Sequence, residues 1–121
     1  MKPEIYRIQD KAGRGPYRPG FSKFWLDPQR PAEERPDIFQ LFDVFALLKA
    51  TPQGAHIGTG FVDLKGLIWW FSSKELDQLE RRGYFPVRLE VDGILGISER
   101  QILFYRILPL RVGWTRLILR G

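Results

Sequence analysis

Arg7, His56, Thr59, Glu99 and Gln101 are the residues of this chain whose types and spacing could do chemistry. Arg7 stands in Tyr6-Arg7-Ile8, where a guanidinium on a strand can hold a phosphate or carboxylate through its planar fork of donors. Thr59 lies in Gly58-Thr59-Gly60-Phe61, a strand-like segment whose glycines let a backbone or a ligand come close. Glu99-Arg100-Gln101 places a carboxylate two residues before an amide. A carboxylate can offset positive charge that develops during a reaction; a neutral amide can hold a sugar hydroxyl but cannot supply that charge. Each position also has a plain structural use. Arg7 can serve as a cross-strand partner of Asp10 or Glu90, His56 as a hydrogen-bonded turn residue, and Glu99 as a solvated turn carboxylate.

The segment from Lys11 to Trp25 adds a second kind of chemistry. Its glycines and prolines exclude regular structure, yet it carries Arg14, Arg18, Lys23, Tyr17, Phe21, Phe24 and Trp25. Proline limits the loop's entropy while rings and guanidinium groups stack and grip anions, so the segment reads as a binding loop built on Arg14, Arg18, Phe21 and Trp25. So much ring surface outside regular elements has to be covered by the domain, by a ligand or by a partner.

Composition closes other routes. The chain has no Cys and a single His, which removes Cys–His nucleophiles, disulfides and thiolate zinc sites and leaves no metal expected. Ser72 is committed to a helix cap, and no glycine-rich phosphate motif joins a strand to a helix. The formal charge of +5 favours an anionic partner. The surplus is spread along the chain, so any nucleic-acid binding is expected to be weak and non-specific. The longest apolar runs, such as Leu67 to Phe71, are far too short to span a bilayer, and a cytoplasmic location is expected.

The elements that must position these groups are legible in part. At 121 residues the chain fits one domain, 1–121, with a loop-rich segment over 14–36. Asp37 is placed to cap an apolar helix over Ile38 to Lys49, and Asp63 to cap a short helix through Trp69 and Trp70. Ser72 and Glu75 form a capping box, and Gly83 sits at a left-handed C-cap after Arg82. From Tyr84 the period changes to two, predicting a half-buried strand with Phe85, Val87, Leu89 and Val91 inward and a turn at Asp92-Gly93. Gln101 to Leu108 forms a second strand, and Leu110 to Leu119 supplies one or two more. The expected class is therefore α+β, a small single domain with a mainly antiparallel sheet and two or three helices.

Val87 to Asp92, followed by Ser98 to Val112, resembles the closing strands of ADP-ribosyltransferase-like domains. In that family a strand precedes a loop with a Glu-x-Glu or Gln-x-Glu pair, then an apolar strand and another ending in Arg-Val or similar. Arg7 matches the first-strand Arg or His that holds NAD there, and Gly58-Thr59-Gly60-Phe61 loosely matches the family's second-strand element. The resemblance implies an ADP-ribosyltransferase-like fold and NAD as cofactor, bound by Arg7, Tyr17, His56 and Thr59, with Glu99 and Gln101 in the catalytic positions. Where the family has its last glutamate this chain has Gln101, so the implied cleft is either active through Glu99 or degenerate. The whole chain is also similar to small phage and prophage proteins that combine an Arg-Gly-Pro-Tyr loop with a Trp-Phe element before a capped helix. If phage-encoded, it acts in the host cytoplasm. The alternative is a non-enzymatic module, such as a phage inhibitor of a host defence protein, acting through the basic-aromatic loop and the helix from 38 to 48. A homo-oligomer sealed by that helix is a third arrangement.

Overall fold

The computed structural model describes residues 1–17, 20–30, 34–36, 42–99 and 101–119. In chain order its elements are β1 (Glu4–Gln9), a single 3-10 turn (Ser22–Phe24), α1 (Val44–Lys49), β2 (His56–Gly60), α2 (Leu64–Trp70), α3 (Ser73–Arg81), β3 (Phe85–Glu90), β4 (Gly93–Ile97), β5 (Ile102–Arg106) and β6 (Trp114–Arg116). The strands form two three-stranded antiparallel sheets, ordered β1-β3-β6 and β2-β5-β4. Among the described residues a bridge joins them: Tyr6 and Phe61 exchange backbone bonds of 2.9 and 2.7 Å. The class is α+β, in one small domain.

Residues directly opposite one another in an antiparallel pair share a face. Ile5 faces Leu89 and Arg7 faces Val87, so Arg7 lies on the same face as the apolar side chains of β3. That face packs with Ile102 and Phe104 of β5 to form one core cluster, which also holds Val91. Ile8, on the opposite face, belongs to a second cluster with Phe61, Leu67, Trp70, Phe71, Leu79 and Trp25 beneath α2 and α3.

The two sheets correct the expectation of one. Asp92-Gly93 does not close a hairpin between β3 and β5; it leads into β4, and the hairpin turn to β5 is Ser98–Gln101. Ser98 Oγ accepts from the Gln101 amide at 2.9 Å, and the Ser98 amide donates to the Gln101 carbonyl at 2.9 Å. β4 escaped the sequence pattern because Gly93 and Gly96 interrupt its alternation. A Cβ at Gly93 would enter the Tyr105 ring, and one at Gly96 the Phe42 ring.

The helix expected over 38–49 is also corrected. Residues 37–41, with the Asp37 cap, lie outside the described residues. The described helix begins at Val44, after Asp43, whose carboxylate accepts from the Ala46 amide at 3.2 Å. A short acidic side chain satisfies an orphan amide best from just outside the helix, so it marks a start.

The other caps fall where the spacing places them. Asp63 Oδ1 accepts from Gly66 N at 2.8 Å, and the Ser72–Glu75 capping box is complete in both directions. Gly83 adopts φ +82°, and the Tyr84 amide reaches back to the Leu79 carbonyl at 2.9 Å. Ser72→Ala is expected to lower stability by about 1 kcal/mol without altering ligand binding; an unchanged urea midpoint would show that the hydroxyl contributes nothing.

Glu75 has a further task that the capping pattern does not announce. Its side chain is fully buried, Oε2 accepts from the Asp27 amide at 2.8 Å, and Oε1 accepts from Arg35 Nη1 at 2.7 Å. Arg30 and Arg35 also donate to the Trp70 carbonyl at the end of α2. Asp27, Arg30 and Arg35 are thereby pinned to the end of α2 and the start of α3. Burial disfavours the Glu75 carboxylate, but the Arg35 bond and the Asp27 and Ser72 amides outweigh it and lower its pKa.

Candidate functional site

Two arginines are buried in the sheets, and they are treated in opposite ways. Arg106, at the end of β5, donates to the carbonyls of Glu90 (2.9 Å), Pro109 (2.9 Å), Val112 (2.7 Å) and Gly113 (3.3 Å). It is a structural clasp for the 107–113 turn. Arg7 is only 6% exposed, yet its Nε and Nη1 have no hydrogen-bond acceptor among the described residues. Among the described residues the Phe104 ring lies over it, with its centroid 5.6 Å from the guanidinium carbon. The cross-strand uses expected of it are not realised: Asp10 is occupied by Arg14 Nε at 2.8 Å and the Ala12 and Arg14 amides, and Glu4, not Arg7, lies opposite Glu90. Desolvation lowers the Arg7 pKa to about 10 against the opposing pull of the Asp10 charge, which leaves it a cation at neutral pH.

A buried cation without an acceptor is costly, and here it forms one wall of a cleft of about 220 Å³ at the seam where β1 meets β2. The lining also includes Gly15, Pro16, Tyr17, Thr59, Phe71 and Gln101. Gln101 is buried, and its Oε1 too has no partner among the described residues. Tyr17 is held with its ring edge-on to Trp25 at 5.2 Å and its hydroxyl accepting from Trp70 Nε1 at 2.7 Å. Burial raises the Tyr17 pKa despite that bond, so the hydroxyl keeps its own proton.

Glycine makes room for the guanidinium. A Cβ at Gly58 would overlap Arg7 Nη1 and approach Phe104 Cζ at 2.8 Å, and one at Gly15 would press on Arg7 Nη2 at 3.1 Å. Gly58→Ala is expected to cost about 1–3 kcal/mol by overpacking and to displace Arg7 from the cleft. Thermal unfolding reads the first effect and ligand titration the second; a variant with wild-type stability and affinity would deny Gly58 this role.

The structure thus brings Arg7, Tyr17, Thr59 and Gln101 to one cleft. His56 and Glu99 are exposed and do not line it. Of the loop residues, Arg14 is paired with Asp10, and Trp25 is buried with its Nε1 donating to the Pro16 carbonyl at 3.1 Å. Phe21 is half-buried against Tyr84, with ring centroids 4.9 Å apart, and Arg18 lies outside the described residues. Trp25 is covered by the domain and Phe21 partly so, whereas Tyr17 and Phe24 stay about half exposed; the Trp25 bond to the Pro16 carbonyl helps hold Pro16 and Tyr17 at the cleft. Phe71 was missed as a lining residue because the sequence presents it as the apolar residue before a capping box.

Two antiparallel sheets that meet at the Tyr6–Phe61 bridge, with a buried arginine in their seam that lacks an acceptor among the described residues for its Nε and Nη1, make up a small α+β protein. No helix among the described residues is long and apolar enough to cross a membrane, and no cluster of His, Asp and Glu there could hold a metal ion. The chain belongs to the family of the bacteriophage T4 Y00F protein, whose model matches residues 1–112. No curated protein and no solved structure matches it.

Proposed function

We propose that this phage-family protein binds a nucleotide of the NAD type in the Arg7 cleft and does not transfer ADP-ribose. The observation that carries this reading is the buried Arg7 guanidinium, desolvated and lacking, among the described residues, an acceptor that a phosphate would supply. Tyr17 and Phe71 offer rings for a planar group, and Thr59 and Gln101 offer polar atoms for a ribose. An ADP-ribosyltransferase-like cleft that has become a binding site fits this set. Its Gln101 is neutral and Glu99 stands outside, which leaves no carboxylate among the described lining residues to offset an oxocarbenium-like charge.

The test is thermal unfolding with NAD and ADP-ribose, together with mass spectrometry of the protein incubated with NAD and host lysate. NAD is expected to raise Tm through binding to the native state, with no ADP-ribose added to any protein. Absence of a shift removes the nucleotide; an added mass that disappears in Glu99→Gln makes the protein a transferase.

A second reading, a host-protein inhibitor, draws on α1, where Phe45 is 71% exposed and no residue is buried. Host-protein capture that survives Phe45→Ser would take α1 out of that role.

A further inference from the structure

We infer that the unit this cleft holds is a single ribose phosphate, so that a mononucleotide occupies it as fully as a dinucleotide does; the inference rests on the nucleotide reading above. Size is the first reason. About 220 Å³ is less than the roughly 300 Å³ at which pockets begin to enclose a drug-sized ligand, and a dinucleotide is larger still. The space suits one phosphate and one sugar ring, with a base reaching out through the mouth.

Charge is the second. Arg7 is the one cation among the described lining residues, and the neighbouring Arg14 is tied to Asp10 by a bond of 2.8 Å. One phosphate can be met by the guanidinium donors; a second phosphate of a pyrophosphate finds no cation there.

The third reason is the polarity of what remains. Arg7 only donates, whereas Gln101 Oε1, which has no partner among the described residues, only accepts. A bare phosphate dianion satisfies the first and leaves the second orphaned. A ligand that completes the site must place a hydroxyl donor beside its anion, as a ribose phosphate does, while Pro16 and the ring of Phe71 provide apolar surface for the sugar carbons.

The experiment is calorimetric titration of the full chain with ribose 5-phosphate, AMP, NAD and inorganic phosphate, repeated on Gln101→Leu. That variant should fold, because the Ser98–Gln101 turn uses only the backbone of Gln101. Ribose 5-phosphate and AMP are expected to bind within about threefold of NAD, and Gln101→Leu to weaken ribose 5-phosphate by about 2- to 10-fold while leaving inorganic phosphate unchanged. If NAD binds but AMP and ribose 5-phosphate are more than tenfold weaker, the inference falls and the nucleotide reading stands. If inorganic phosphate matches ribose 5-phosphate and Gln101→Leu changes neither, the cleft is an anion hole alone and the inference falls. If no phosphate compound binds, both fall together.

Discussion

Glu75→Ala is expected to destabilise the protein by about 3–5 kcal/mol, the largest single loss foreseen for a polar residue here. The carboxylate is fully buried and holds Arg35 Nη1 at 2.7 Å, the Asp27 amide at 2.8 Å and the Ser72 amide at 3.1 Å. Removing it leaves Arg35, whose side chain is 6% exposed, as a buried charge without its partner, and undoes half of the capping box. Against a total stability of about 5–15 kcal/mol the loss is decisive, and it should appear as a fall in Tm of roughly 10–20 °C. Acid acts in the same direction. The Glu75 pKa is lowered on folding from the usual 4.5, so its stabilisation is complete above that value and is lost as pH falls through the lower folded one. The gap between wild type and Glu75→Gln should accordingly narrow in acid, whereas a gap independent of pH would mean that shape, not charge, is what Glu75 contributes.

Arg7→Met should do the reverse: raise stability by about 1–3 kcal/mol and abolish the ligand-induced Tm shift. The guanidinium is desolvated without a hydrogen-bond acceptor, and a flexible apolar side chain fills the same space against Phe104 with no charge to bury. The cation–π contact with Phe104 offsets part of that gain, which keeps the estimate modest. The pH dependence follows from a folded pKa lowered by desolvation to about 10, below the ordinary value of an arginine. A cation whose pKa is depressed by folding destabilises most below the folded value and is relieved as pH rises through it. The advantage of Arg7→Met should therefore be constant at neutral pH and shrink above pH 10. A variant less stable than wild type at neutral pH would show that Arg7 is a structural residue like Arg106, and the binding reading would lose its support.

The sequence by itself determined the local elements whose signals lie within a few residues. The Ser72–Glu75 box, Gly83 and the alternation from Phe85 to Leu89 are satisfied by short-range hydrogen bonds and by one buried face, so neighbouring residues suffice to specify them. It also marked Arg7, Tyr17, Thr59 and Gln101 as chemically capable side chains. Only the tertiary structure decided what those side chains do. Gly93 and Gly96 make room for Tyr105 on the neighbouring strand and for Phe42, far away in the chain, so β4 and the division into two sheets were invisible until those rings were in place. Trp25 looked like binding surface, but it reaches the Pro16 carbonyl and packs beneath α2 and α3. Glu75 looked like a cap alone, although its second oxygen and its ion pair belong to residues 40 and more positions earlier. Arg7 and Arg106 are alike in sequence, each one arginine in an apolar strand. What separates them is that the Glu90 carbonyl and three carbonyls of the 107–113 turn converge on Arg106, whereas Arg7 Nε and Nη1 meet no acceptor among the described residues, a difference of packing that the two strand sequences do not show.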